Sequence, residues 1–282
     1  WSEDGVQAAE GMLERVERIV EENEDALTDE RPSLQDAELF DRIMASRIQR
    51  AIEKVTEDTE NYDFNLAIDE IDRLLSKLYW YEQQGGRDDV LSHGIKTLLK
   101  LLSPYAPHIT EELWDRIGNE AFMLEEDWPE VDEGLLDEEA EDIDAYFDRV
   151  SSDIREIIDM IEDSPEKVKI IQASDWKYVA GEKILEAIED TKDVGEVMDQ
   201  VLNGELQQYA QDINDEVVEA VENPGSYRRD FATQDLEEKA LELNQERFEE
   251  EFGLEVAVEK EESSDEDKAS RAQPGRPAIV VE

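Results

Sequence analysis

The sequence predicts a mainly α-helical protein with a smaller α/β part. An N-terminal antiparallel helix bundle occupies residues 1–134, and a small α+β domain follows over 135–282. Three observations lead there. Apolar residues recur at three- and four-residue spacing through the first half. Strand-like runs appear only from residue 167 onward, with helical stretches between them. And 39% of the 282 residues are hydrophobic, enough to build cores although 79 acidic residues face 28 basic ones, a formal net charge of −51.

The bundle rests on four stripes. Val6, Ala9, Leu13, Val16 and Val20 form the first. After the break "DERPS", Phe40, Ile43, Met44, Ile48, Ala51, Ile52 and Val55 form the second. Phe64, Ala67, Ile68, Ile71, Leu74, Leu75, Leu78 and Tyr81 form the third, ending at Gly85 and Gly86. Leu91, Ile95, Leu98, Leu99 and Leu102 form the fourth. Short breaks between stripes make neighbouring helices antiparallel. The corner "LLSPYAPHITEELW" closes the bundle: Pro104 has no amide to donate and disfavours helix at Ser103. Pro107 suits the first turn of a fifth helix, and Glu111 and Glu112 near its start favour the positive end of its dipole. Ile109, Leu113 and Ile117 face the core.

Past "DWPEVDEG" the pattern changes. Residues 138–161 read as a helix, "KVKIIQA" as the first convincing strand, and helices follow around 181–190, 193–202, 205–222 and 233–251. "LEVAVE" alternates as a half-buried strand should, "EKEESSDEDKASRAQPG" reads as a mobile polar loop, and "RPAIVVE" ends the chain in a short β-branched run.

So large a charge ordinarily disorders a chain. Clean helical spacing argues instead for a folded protein with an extremely acidic surface, as opposed to an acidic tail-like or chaperone-like chain. That surface suits a cell interior at molar salt, where the Debye length is about 3 Å and repulsion is screened. A halophilic source is the expectation. No cysteine is present, which excludes disulfides and thiolate metal sites. His93 and His108 lie outside ligand spacing. No apolar run approaches the roughly 20 residues that cross a bilayer, and no signal peptide opens the chain. A soluble cytoplasmic protein without membrane contact is expected, and the start at Trp1 rather than Met is expected of a piece cut from something longer. No glycine-rich phosphate loop, nucleophile elbow or Ser/His/Asp set stands in credible context. Carboxylate pairs are so abundant that each reads as solvated surface. The segment is not expected to be an enzyme by itself.

The residues of that corner, "LLKLLSPYAPHITEELW" with "WPEVDE" after it, closely resemble the helical anticodon-binding-type domain of class I aminoacyl-tRNA synthetases of the leucine, isoleucine and valine group. "NYDFNLAIDEIDRL" resembles the third bundle helix of the same family. In the second half, "VKIIQASDWKYVA", "FEEEFGLEVAV" and "PGRPAIVVE" resemble the C-terminal domain of archaeal-type leucyl-tRNA synthetases. An isoleucyl enzyme often carries cysteine-rich metal-binding elements after the bundle and a valyl enzyme often ends in a coiled coil; neither feature is present. The resemblance implies a fragment that holds tRNA(Leu), not DNA, through its long variable arm and elbow. Catalytic and editing domains of the same chain, with ATP and Mg, would perform leucylation in a monomeric full-length enzyme; the fragment itself would need no cofactor.

At molar salt the phosphate contribution to RNA binding nearly vanishes, so local basic and aromatic spots matter. Arg47 and Arg50 sit about one turn apart; they read equally as RNA contacts or as a solvated strip paired with acids. Lys167 and Lys169 flank a strand, with Trp176, Lys177 and Tyr178 after it. Lys177 is a contact candidate, and the two aromatics read as base-stacking surfaces or as core. Arg228 and Arg229 of "SYRRD" fall in a loop between helices and are RNA-contact candidates. The family resemblance points to the tail: Arg276, Ile279, Val281 and Glu282, whose backbone groups and terminal carboxylate would meet base edges, with an edge strand as a compatible alternative. His93 and His108 read as packing or surface residues, and Trp80 and Tyr81 as core or helix-interface residues. An equivalent isoleucyl or valyl fragment and a free-standing acidic helical interaction protein are the competing readings.

Overall fold

The computed structural model describes residues 3–119, 121–161 and 165–282. The chain divides into two compact units, Trp1–Glu141 and Asp142–Glu282.

In the first unit the apolar stripes become α1 (Glu3–Asn23), α2 (Leu39–Glu60), α3 (Phe64–Gln83), α4 (Asp88–Leu102) and α5 (Pro107–Arg116). Side-chain bonds fix the helix directions. Asn23 at the end of α1 donates to Glu82 at the end of α3 over 2.6 Å, and the Tyr79 hydroxyl donates to the Arg15 carbonyl over 2.7 Å, so α1 and α3 run the same way. Tyr81 near the end of α3 bonds Asp41 at the start of α2, as an antiparallel hairpin requires. Val16, Ile48, Leu75, Leu78, Ile95 and Leu98 are fully buried and belong to one continuous core. At roughly 25 cal/mol per Å² of apolar surface, burying such side chains is the main force holding the helices together.

The structure shifts the edges of the predicted stripes. Val6 and Ala9 are exposed, and Met12 and Ile19 complete the buried face of α1 with Val16 and Val20. Phe64 and Ile68 at the start of α3 are also exposed. The buried core begins at Met12 in α1 and at Ala67 in α3.

The corner forms as its prolines dictate. α4 stops at Leu102, yet Ser103 keeps α-region angles (φ −55°, ψ −36°), so the missing amide of Pro104 ends the helix more than the backbone preference of the residue before it. Pro107 occupies the first turn of α5. The Thr110 hydroxyl donates to the Ala106 carbonyl over 3.1 Å, and Leu113 and Trp114 are buried. Glu111 takes a different role from the one expected: its carboxylate accepts the Met123 amide at 3.0 Å and fastens the next turn.

The second unit holds most of α6 (Glu138–Asp159), then β1 (Lys167–Gln172), α7 (Asp175–Asp190), α8 (Val194–Val201), α9 (Ala210–Glu222), α10 (Pro224–Asp230), α11 (Gln234–Phe252), β2 (Glu255–Lys260) and β3 (Ala278–Val281). The three strands stand in the order β2-β1-β3. β1 pairs with β2 in parallel and with β3 antiparallel, Ile170 facing Val258 on one side and Ile279 on the other. The central position explains the nearly continuous burial of Val168, Ile170, Ile171 and Gln172. Gly253 closes α11 at φ +64°, the left-handed cap that turns the chain into β2.

Two expectations for this unit are corrected. "SYRRD" is not a loop: Asn223 leads into α10, and Pro224 starts it, where a missing amide costs nothing. The polar run 259–275 is tied down. Ala269 and Ala272 are buried, and the Gln273 amide and carbonyl exchange bonds with Arg276 at 2.9 and 2.8 Å around a tight turn. Among the described residues, no helix is long and apolar enough to cross a membrane.

Candidate nucleic-acid interface

The C-terminal turn Gln273–Pro274–Gly275–Arg276 organises one candidate surface. Proline at the second position and glycine at the third, with φ +80°, are what a type II turn demands. Gly275 is closed to any side chain: a Cβ would stand 1.9 Å from the Asp230 carbonyl oxygen. Its amide donates to Glu237 over 2.7 Å. Glu237 is fully buried beside the Tyr146 and Tyr178 hydroxyls, and burial pushes its carboxyl up to about 7 despite the Gly275 hydrogen bond.

Around this turn the structure brings Arg276 and Arg229 to one carboxylate. Arg276 pairs with Asp230, and Arg229 approaches the same residue at 3.4 Å. Burial alone would raise the Asp230 carboxyl, but the Ser226 hydroxyl and the two guanidiniums hold it below the ordinary carboxylate range. Arg228, exposed, pairs with Glu189 at 2.9 Å. Glu216 lines the same shallow pocket with Tyr227 and Arg276, and burial pushes it up to about 7 as well.

Past the turn the chain becomes β3, and its register decides which backbone groups are available. Glu282 and Lys167 exchange both amide–carbonyl bonds, at 2.8 and 3.0 Å. Hydrogen-bonded pairs alternate along an antiparallel ladder, so Val280 and Ala278 also bond β1. Ile279 and Val281 therefore aim their amides and carbonyls away from β1, along an edge beside which no strand stands among the described residues. The Ile279 side chain is buried, and that of Val281 is half-buried. The Glu282 carboxylate is held by Lys169 at 2.8 Å, which lowers its pKa.

Lys177 is corrected as a contact residue. Its side chain is buried, and Nζ donates to the carbonyls of Ser270 at 2.9 Å and Ala272 at 2.7 Å, with Glu261 at 3.0 Å. A cation so committed fastens the acidic segment 259–275 and presents nothing to solvent. Tyr178 is core, and one face of half-buried Trp176 is stacked on Tyr209 at 4.1 Å. Lys167 and Lys169 lie within β1 rather than beside it.

In the bundle, Arg47 and Arg50 project from α2 with half-buried side chains. Arg50 donates to Glu141 at 2.9 Å and to Glu53 at 3.1 Å, and these bonds raise its pKa. Arg73 and Lys77 of α3 line the same groove. Neither lies on the apolar stripe of α3 by which the sequence declares that helix; their spacing of four is the signal that marks them. His93 packs inside, 3.0 Å from Gln49, and burial lowers its pKa. Tyr81 is core and Trp80 packs half-buried against it. His108 is exposed. Among the described residues no group of three His, Asp or Glu side chains is disposed to hold a metal ion.

A sequence profile described as the anticodon-binding domain of tRNA ligase matches residues 41–179. Residues 41–179 belong to this domain family. Over its whole length the chain is 32% identical to a leucine–tRNA ligase of Methanothrix thermoacetophila, of which it covers 30%, and 31% identical to one of Halobacterium salinarum, of which it covers 31%. Within the class it therefore corresponds to part of an archaeal-type leucyl-tRNA synthetase. A chain from the crystal structure of the ternary complex of Agrobacterium radiobacter K84 agnB2 LeuRS-tRNA-LeuAMS overlays on 61% of this chain and 19% of its own length, at 30% identity and a TM-score of 0.45. The chain spans about 30% of the length of the curated relatives it matches.

Proposed function

We propose that this chain is the tRNA-holding part of a leucine–tRNA ligase. The bundle lies along the inner side of the tRNA L-shape, and the second unit engages the long variable arm and elbow of tRNA(Leu). Leucylation itself, with ATP and Mg, belongs to catalytic and editing domains elsewhere in the same polypeptide. The working enzyme is a monomer in the cytoplasm of a salt-rich cell, where the surplus of carboxylates is screened.

The observation that carries the reading is the outward edge at Ile279 and Val281, beside Arg276 and Arg229. Backbone amides and carbonyls on a fixed edge can meet the hydrogen-bonding edges of unpaired bases, which is how single-stranded RNA is told apart from duplex. Such contacts stay useful at salt concentrations that abolish long-range attraction.

The test compares four RNAs in molar KCl: tRNA(Leu), tRNA(Leu) without its variable arm, tRNA(Ile) and tRNA(Val). Intact tRNA(Leu) is expected to bind most tightly, with nuclease protection over the variable arm and elbow. Equal binding of all four would remove the leucine assignment.

A further inference from the structure

Asn203 and Gly204 join α8 to the short 3-10 turn Gly204–Tyr209 that precedes α9, and both are exposed. Asn203 alone among the asparagines of this sequence is followed by glycine. Gly204 holds φ +57°, which favours glycine, and open space lies where a Cβ would stand. Its peptide nitrogen is therefore unshielded. As the first residue of the turn, Gly204 also keeps its amide outside that turn's hydrogen-bond ladder.

The Asn203 side chain is held from both ends. Its Nδ2 donates to the Gln200 carbonyl at 3.1 Å. Lys183, reaching across from α7, donates Nζ to Oδ1 at 2.6 Å. The ammonium draws electron density from the amide carbon and stands where an oxyanion on Oδ1 would form. Other asparagines lack parts of this arrangement. Asn223 precedes Pro224, whose nitrogen has no hydrogen to lose. The Tyr62 amide after Asn61 donates to the Thr59 carbonyl at 3.2 Å. Asn214 and Asn244 lie inside α9 and α11, where the following amide is committed to the helix ladder.

We propose that Asn203 is a site of intramolecular deamidation, in which Gly204 supplies the nucleophile and Lys183 stabilises the oxyanion. The Gly204 nitrogen gives up its proton to hydroxide and bonds to Asn203 Cγ. The Cγ–Nδ2 bond then breaks, and Nδ2 takes a proton from water and leaves as ammonia. The five-membered succinimide opens by adding water at either carbonyl, which gives aspartate or isoaspartate. Ring closure needs rotation about Cα–C of Asn203, which stands extended at ψ 153°. That rotation gives up the bond from the Leu206 amide to the Asn203 carbonyl, 3.2 Å long, and uncovers no buried side chain of the pair. Adjacent placement of the two reacting groups supplies the proximity that the attack requires.

The two products differ in consequence. Aspartate keeps the backbone and turns the Lys183 hydrogen bond into a surface ion pair, which changes stability little. Isoaspartate adds a carbon to the main chain between Val201 and Leu206, two buried residues of one apolar cluster, and loosens α8 from α9.

The test keeps the 282-residue chain in molar KCl at pH 7 and at pH 9 and maps its peptides by mass spectrometry. The peptide holding Asn203 is expected to show the amide-to-acid mass gain first, faster at pH 9, with aspartate and isoaspartate appearing together. Lys183→Ala should slow conversion in the native chain about fivefold, the contribution of one exposed charge-assisted hydrogen bond, and Lys183→Arg should restore most of the rate. In urea, where the fold no longer brings Lys183 to Asn203, wild type and Lys183→Ala should convert alike. Circular dichroism checks that each variant is folded. An intact Asn203 beside converted asparagines elsewhere would overturn the site. Aspartate without isoaspartate would overturn the ring-closing route. Native rates untouched by Lys183→Ala would remove the lysine, and with it the proposal.

Discussion

The two units carry nearly the same charge on different foundations. Residues 1–141 hold 39 acidic and 13 basic side chains, and residues 142–282 hold 40 and 15. The bundle places its aliphatic side chains in one continuous core, with buried Asp41 and Asp58 bonded to Tyr81 and Lys54 of the same hairpin. The second unit divides its apolar residues among smaller clusters and threads ionisable groups between them: Glu216, Glu237, Lys177 and the Asp144–Arg247 pair at 3.0 Å. Equal surface charge therefore does not mean equal sensitivity. Packing holds both units, and the second adds buried carboxyls whose protonation couples its stability to pH.

The sharpest way to break this contrast is to cut a hole in the bundle. Leu78→Ala removes a fully buried side chain whose Cδ2 lies 2.4 Å from where a Gly94 Cβ would stand, a site with little room to relax. A loss of about 4 kcal/mol in a urea titration is expected, unchanged between pH 5 and 8. Dependence of that loss on pH would tie the cavity to half-buried His93, the titrating side chain next to Gly94.

The counterpart in the second unit is Gly275→Ala. The added methyl meets the Asp230 carbonyl, and φ +80° suits only glycine. The expected cost is about 3 kcal/mol, from overpacking and left-handed strain together. Amide exchange should quicken at 276–282 and stay slow in α2–α4. Uniform acceleration over both units would show that they unfold as one body.

A smaller and opposite effect is expected of Glu237→Gln. The folded carboxyl, pushed up to about 7, holds its proton more tightly than the unfolded one near 4.5. Native stability is thus greatest below pH 4.5, falls as pH rises towards 7 and is lowest beyond it. The swing is at most about 3 kcal/mol for this group. Glutamine keeps an acceptor for the Gly275 amide and removes the swing, so the variant should be the more stable protein at pH 8. Parallel pH curves for variant and wild type would remove Glu237 as the source.

The smallest effect belongs to the surface. Arg116 pairs with Glu21 and with Glu24 at 3.0 Å, all solvent-exposed. Arg116→Ala should leave the urea midpoint unchanged in molar KCl, where such pairs are screened.

What the sequence disclosed follows the same division. Four helices and the proline corner were legible because periodicity and missing amides act locally. The strands "KVKIIQA", "LEVAVE" and "AIVV" were legible from β-branched alternation. Lys177 was not, since its partners at Ser270 and Ala272 lie more than ninety positions away and only the fold brings them together. The groove needed the α2–α3 pairing before Arg73 and Lys77 could be set opposite Arg47 and Arg50. Ile279 and Val281 were singled out by resemblance, but the direction of their backbone groups follows only from the ladder that Glu282 and Lys167 fix. "SYRRD" misled because seven-residue helices leave little periodicity, although Pro224 marked the start.

The double anchoring of the acidic connector between β2 and the last strand has a further consequence for how this chain can vary. Between Glu261, which holds Ser174 and Lys177, and Glu266, which holds Lys169, no side chain is buried, so insertions or deletions over 262–265 would change a solvated bow and little else. Beyond Ala269 each residue is counted out by lysine, turn and ladder in succession. A single extra residue would put the terminal strand one step out of phase and exchange its inner face for its outer one.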